Sequence, residues 1–158
     1  MLLQSLGPIR VQVSRRVIGQ FKRAAKEAFP RETWAYLLGE DAVDLVVAEG
    51  LYFPRDVEKH CTTRNTHIQP HWDAEAADVA RDEGLTVVGT IHSHPYTYRE
   101  CGGSIRDGAP SEKDHLCGWS GIYGICVVAE QRSGRLISRI QFFPPAPVIQ
   151  TEVISGTD

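Results

Sequence analysis

The sequence predicts an α/β domain of the α+β kind, with a curved, largely antiparallel mixed sheet wrapped by helices. Three observations point there. Short runs rich in β-branched residues recur along the chain, two pairs of them are joined by tight polar turns, and the helical patterns fall irregularly among them. A doubly wound parallel sheet would instead need strands and helices to alternate. The 158 residues suit one domain, 1–143, followed by a Pro-rich tail, 144–158. A chain of this length buries about 70% of its unfolded surface, so it needs no staples.

Ile9–Val13 alternates apolar and polar residues, as a short strand does. Ser14 then stands where a helix N-cap belongs. In the following helix, RRVIGQFKRAAKEAF, Val17, Phe21, Ala24, Ala25 and Ala28 share one face, and Pro30 closes it. Thr33–Leu38 and Val43–Ala48 read as a hairpin around Gly39-Glu40-Asp41-Ala42. Tyr52–Pro70 reads as irregular, with a weak strand at Thr66–Ile68. Trp72, Ala76, Val79 and Ala80 mark a helix from Pro70 to Asp82, with Gly84 past its end.

LTVVGTIHSH carries the strongest strand signal, and Pro95 is expected to end it. Tyr96–Pro110 reads as a long loop, and loops of that length are usually functional or disordered. Ser111-Glu112-Lys113-Asp114 looks like the start of a short helix. Ile122–Ala129 and Leu136–Phe143 form a second hairpin around Gln131-Arg132-Ser133-Gly134. The tail after Pro144 is expected to be frayed or to dock a partner.

Composition narrows the function classes. The chain is 42% hydrophobic and 23% charged, and its formal charge is −3. The local excess of Arg10, Arg15, Arg16, Lys22, Arg23 and Lys26 reads as a solvated helix face. Nucleic acid is not expected as a partner, because duplex binders carry a basic stripe matched to phosphates. No long apolar run suggests a membrane span or a signal peptide. The four cysteines form no CxxC pair, so a reducing, cytoplasmic location with free thiols is expected. Cys126, in IYGICVVA, reads as a small buried hydrophobe, whereas Cys101 lies in the Gly-rich loop.

The chemistry begins at His92-Ser93-His94. Residues i and i+2 of a strand point to one face, so the two imidazoles converge at the strand end and could supply half of a tetrahedral zinc site. A pair of histidines bonded to backbone or water fits the same spacing. Asp114, at a helix start three residues after Ser111, is the candidate third ligand. Ser-x-x-Asp is also what a helix-capping box looks like, and His115 is a rival donor next door. Two His and one carboxylate leave a coordination position open, which marks a catalytic rather than a structural zinc. A water held there needs a general base. Spacing alone does not separate Glu32 from Glu40, Glu49, Glu75 or Glu83.

Taken together, Pro30-x-Glu32 with Gly39, then His92-Ser93-His94-Pro95, then Ser111-x-x-Asp114 resemble the signature of the JAMM (JAB/MPN) zinc metalloproteases, over roughly Ile9 to Phe143. The resemblance implies an MPN/cytidine-deaminase-like fold and one catalytic Zn2+ per chain on His92, His94 and Asp114. It further implies Glu32 as the base and Ser111 as the donor to the oxyanion. The implied activity is hydrolysis of peptide or isopeptide bonds after the extended C-terminal tail of ubiquitin or a ubiquitin-like protein.

A minimal domain of this kind resembles the deconjugating or maturing peptidases of bacterial modifier operons, which act beside E1-like and E2-like partners, often in antiviral defence. The same resemblance leaves open a sulfur-carrier processing peptidase, a nonenzymatic MPN scaffold and a DNA-repair-associated domain. Two departures stand out. Sixteen residues, Pro95 to Pro110, separate His94 from Ser111, more than the family usually has, and Ala35 stands where the family often has Gly. The longer loop implies altered substrate access. HExxH is absent, and so is the HxE with PCxxC of zinc deaminases.

Overall fold

The computed structural model describes residues 9–42, 45–105, 121–143 and 151–155. Among these residues, seven strands form one mixed sheet in the order β6-β5-β4-β2-β3-β1-β7. They are β1 (Ile9–Val13), β2 (Trp34–Asp41), β3 (Leu45–Tyr52), β4 (Thr86–Tyr96), β5 (Ile122–Glu130), β6 (Leu136–Phe143) and β7 (Thr151–Ser155). The hairpin pairs β2–β3 and β5–β6 are antiparallel, as is β2–β4, while β4–β5, β1–β3 and β1–β7 are parallel.

Two long helices cover the two faces. Helix α1 (Arg15–Ala28) is capped by Ser14, whose side chain accepts from the Arg16 N–H, and it buries Val17, Phe21 and Ala25. These pack with Ala35 and Leu37 of β2, Ile91 of β4, and Ile122, Cys126 and Val128 of β5. Helix α2 (Pro70–Asp82) buries Trp72, Ala76 and Ala80 against the opposite face, on Trp34, Tyr36 and Leu38. Alternate residues of β2 thus enter different cores. A strand covered on both sides carries an unbroken apolar run, as the fully buried stretch Trp34–Gly39 does.

The sheet bends at two adjacent steps of β2. Opposite Leu38/Gly39, β3 carries an extra residue, Glu49; opposite Leu37/Leu38, β4 carries an extra residue, Val88. Extra residues of this kind bend a strand and increase its twist. The core records the resulting change of face: Val46 and Ala48 before Glu49, and Leu51 after it, all reach the α1 side. Gly39 belongs to this bend, since a Cβ there would lie 1.7 Å from the Val47 carbonyl oxygen.

Several sequence expectations are corrected. Gly39–Asp41 lies inside β2 rather than in the hairpin turn, because the glycine serves the bend. Pro95 does not end β4. Ser93 N–H donates toward β2, to Thr33 O at 3.0 Å, so the missing N–H of Pro95 would point to the same side, past the start of β2. The stretch expected to be a loop from Tyr96 contains a short helix, α3 (Tyr98–Cys101), with a capping box between Thr97 and Glu100. Thr66–Ile68 forms no strand, only an isolated bridge from Thr66 to Cys61. Thr151–Ser155, in the tail expected to fray or to dock a partner, pairs with β1 along the edge of the sheet. Among the described residues no helix is long and apolar enough to cross a membrane.

Candidate active site at the end of β4

Trp34 of β2 pairs with His92 of β4, and Thr33 and Ser93 follow in the same register. Continuing the antiparallel ladder sets Glu32 opposite His94. Thr33 N–H donates to Ser93 Oγ at 2.8 Å, and Ser93 N–H donates back to Thr33 O at 3.0 Å. Ser93 is wholly buried, so this reciprocal pair locks the end of the ladder beneath the histidines.

His92 is 4% exposed and lies against the Tyr123 ring, 5.2 Å between centroids. It sits on the α2 face between the Trp34 cluster and a smaller one formed by Tyr123, Ile125 and Val127 with Tyr96 and Phe143. His94 is more open. The two Nε2 atoms share a hydrogen bond at 2.7 Å, so the rings do converge on one point. Converging neutral imidazole nitrogens are the donor chemistry of a borderline cation such as Zn2+, and the pair therefore fits half of such a site. Among the described residues no group of three His, Cys, Asp or Glu side chains forms a metal cluster. Asp114 and Ser111, the expected third ligand and oxyanion donor, lie outside the described residues, as does His115.

Glu32 is 9% exposed. Its backbone N–H donates to Thr62 O at 2.8 Å, and its Oε2 accepts from the Thr66 hydroxyl at 3.0 Å. Glu32 and His94 line the same cleft of about 360 Å³, together with Thr63, Arg64, Pro95, Tyr96 and Glu100. Glu32 also borders a second cavity of about 360 Å³ behind it, walled by the end of α1, Arg31, Phe53–Arg55 and Cys61. Of the glutamates that spacing could not separate, it is Glu32 that shares the cleft with a histidine of the pair.

The connection between β3 and α2 supplies this half of the cleft and is tied down at Asp56. One carboxylate oxygen accepts from Trp72 Nε1 at 2.8 Å. The other lies 3.2 Å from His60 Nε2 and 3.6 Å from His71 Nε2. The Trp72 hydrogen bond is the main cause holding the Asp56 carboxyl below its ordinary pKa. On the α2 face, Tyr36 donates to Asp73, and burial together with this bond pushes its phenol well up. Cys126, inside the α1 core, is pushed up to about 12 by burial. Cys101 has its Sγ 3.4 Å from the Gly103 N–H and within reach of the Tyr96 and Glu130 carbonyls, which makes it part of the α3 cap.

Sequence reasoning did not single out Thr66, Arg64 or Glu100. The Thr97-x-x-Glu100 box was a readable signal for α3. No spacing rule links Thr66 to a carboxylate 34 positions away.

A model of the prokaryotic homologs of the JAB domain matches residues 14–140. Among solved structures, a protein from Desulfitobacterium hafniense is similar at 16% identity and TM-score 0.63, with 94% of each chain covered. A JAB1/MPN domain protein from Archaeoglobus fulgidus matches at 22% identity and TM-score 0.46, covering 90% of this chain and 98% of that one. A protein from Salinibacter ruber matches at 18% identity and TM-score 0.49, covering 88% and 90%. The first likeness is one of fold alone, and the other two are too low to add to it. No match was found among the curated proteins.

Proposed function

The chain belongs to the family of prokaryotic JAB-domain homologs, and from that premise we propose that it is a zinc-dependent peptidase acting on the extended C-terminal tail of a ubiquitin-like protein. The JAB/MPN family includes metalloproteases that commonly use zinc, as well as inactive members. The observation that carries the active reading is the meeting of His92 Nε2 and His94 Nε2 at 2.7 Å beside the cleft that Glu32 lines. Two converging imidazoles and a nearly buried carboxylate at one strand end support the active reading over that of an inactive scaffold.

In this reading His92, His94 and Asp114 hold one Zn2+, which when bound supplies Lewis-acid chemistry for peptide hydrolysis. Glu32 takes a proton from the attacking water and delivers it to the leaving amine. Ser111 donates a hydrogen bond to the developing oxyanion, a contribution worth about 10²–10³ in rate. The substrate tail enters as an extended segment, the conformation that presents its backbone to neighbouring strands. Modifier deconjugation or maturation beside E1-like and E2-like proteins is the setting this activity fits.

The test is cleavage of linear and branched ubiquitin-like fusions by zinc-loaded protein, followed by mass spectrometry, with Glu32→Ala as the control. Cleavage at the end of the modifier tail, lost in Glu32→Ala at unchanged zinc content, is the expected result. No cleavage of any fusion, or equal cleavage by the variant, overturns it.

A further inference from the structure

Glu32 stands outside the strand that would otherwise orient it, since β2 begins at Trp34. Among the described residues, two tethers hold it in place of the ladder, and both come from one tight turn in the β3–α2 connection. The Glu32 N–H reaches Thr62 O, and the Thr66 hydroxyl reaches Glu32 Oε2 at 3.0 Å. Thr62 N–H closes the turn on Asn65 O at 2.7 Å, Asn65 N–H reaches back to Thr62 Oγ1 at 3.1 Å, and the bridge from Cys61 to Thr66 shuts its base.

The Thr66 oxygen has a second neighbour, Cys61 Sγ at 3.5 Å. A hydroxyl has one proton to give. With a carboxylate on one side, that proton goes to Glu32, and Thr66 accepts from the Cys61 thiol on the other. Burial is the main cause that raises the Cys61 pKa, and the charge of Glu32 adds to it; together they outweigh the lowering by the Thr66 hydrogen bond and keep the thiol protonated. The result is a chain of hydrogen bonds in one direction, from Cys61 to Thr66 to Glu32. The segment leading into the turn is held against α2 through Asp56, Trp72 and His60.

Building on the peptidase reading, we infer that Thr66 is the positioning residue of the general base: its hydroxyl fixes the plane of the Glu32 carboxylate in the cleft. The β3–α2 connection is then part of the catalytic apparatus. A carboxylate bound by a hydroxyl is restrained in its last torsion, which is otherwise broad. Losing a hydrogen bond to a charged group corresponds to about a tenfold to hundredfold change in rate.

The experiment compares the full-length wild type with Thr66→Val, which keeps the shape, and Thr66→Ser, which keeps the hydroxyl. Crystal structures of the metal-free proteins are expected to show one Glu32 conformer in wild type and Thr66→Ser, and a turned or split carboxylate in Thr66→Val. In the zinc-loaded proteins kcat is expected to fall about tenfold to hundredfold in Thr66→Val at unchanged KM and zinc content, with recovery in Thr66→Ser. An unmoved Glu32 in Thr66→Val, or a moved Glu32 with unchanged kcat, overturns the inference. If the wild type itself cleaves no fusion, the peptidase reading fails, and the crystal comparison still decides whether Thr66 holds Glu32.

Discussion

Trp34 and His92 are direct partners in the ladder between β2 and β4, and this pairing brings the candidate base to the candidate ligands. The strands are antiparallel, so the residue two before Trp34 and the residue two after His92 advance together toward the same end. A parallel pairing would carry them apart.

The first prediction separates holding the metal from using it. His94→Ala removes one of the converging nitrogens and is expected to lower zinc stoichiometry, measured by elemental analysis after dialysis, and to abolish the zinc-dependent rise in Tm. Glu32→Gln is expected to retain zinc and its Tm rise while losing at least about 10²-fold in kcat, the usual scale for a lost general base. Equal zinc loss in both variants would remove the distinction.

Ser93 lies wholly buried between the two histidines and accepts from Thr33 N–H. Ser93→Ala leaves that N–H without its acceptor and is expected to cost about 1–3 kcal/mol in denaturant unfolding. Because the same bond closes the ladder at the site, zinc affinity should weaken as well. A stability change under a few tenths of a kcal/mol would show that the bond contributes little.

Gly89 and Gly50 make a matched pair. A Cβ at Gly89 would lie 2.0 Å from the Ile122 carbonyl oxygen, where β4 and β5 meet, and would force the strands apart. Gly89→Ala is expected to destabilise by about 3 kcal/mol or to yield insoluble protein. At Gly50 the nearest atoms are the Leu38 Cβ at 3.8 Å and a Glu83 carboxylate oxygen at 4.0 Å, so Gly50→Ala is tolerated and gains about 0.4–1 kcal/mol through the unfolded state. The difference in Tm between the two variants checks both.

Burial pushes the Cys126 thiol up to about 12. Its folded pKa therefore lies above the unfolded value of about 8.5. The folded protein keeps a proton that the unfolded chain releases between these values, so this contribution to stability is complete below about pH 8.5 and declines as pH rises toward 12. Cys126→Ala should flatten the alkaline limb of a stability–pH curve, and Cys126 should resist thiol reagents in the native state. A limb of the same slope in the variant would refute the assignment.

Much of this was legible because the signals were local. Val87, Val88 and Ile91 announce β4, Ser14 announces the start of α1, and the His-x-His spacing announces convergence once the segment is a strand. Other features depend on what lies across the sheet. Whether Pro95 stops a strand depends on which side its absent N–H faces, and whether Gly39 marks a turn or a bend depends on the Val47 carbonyl. The Thr66–Glu32 bond is of the same sort, made between segments that only the folded chain brings together.

The bend opposite Leu37–Gly39 has a consequence for refolding. Register can slip only by whole residues, and a slip of one turns every side chain to the other face. If β4 zipped onto β2 without accommodating Val88, Ile91 and Ser93 would enter the cleft while both imidazoles turned toward α1. Such a chain would be compact and rich in sheet yet unable to take up zinc through the pair. In the proposed peptidase reading, metal uptake is then a proofreading signal, distinguishing correctly threaded molecules from frame-shifted ones that circular dichroism would score as folded.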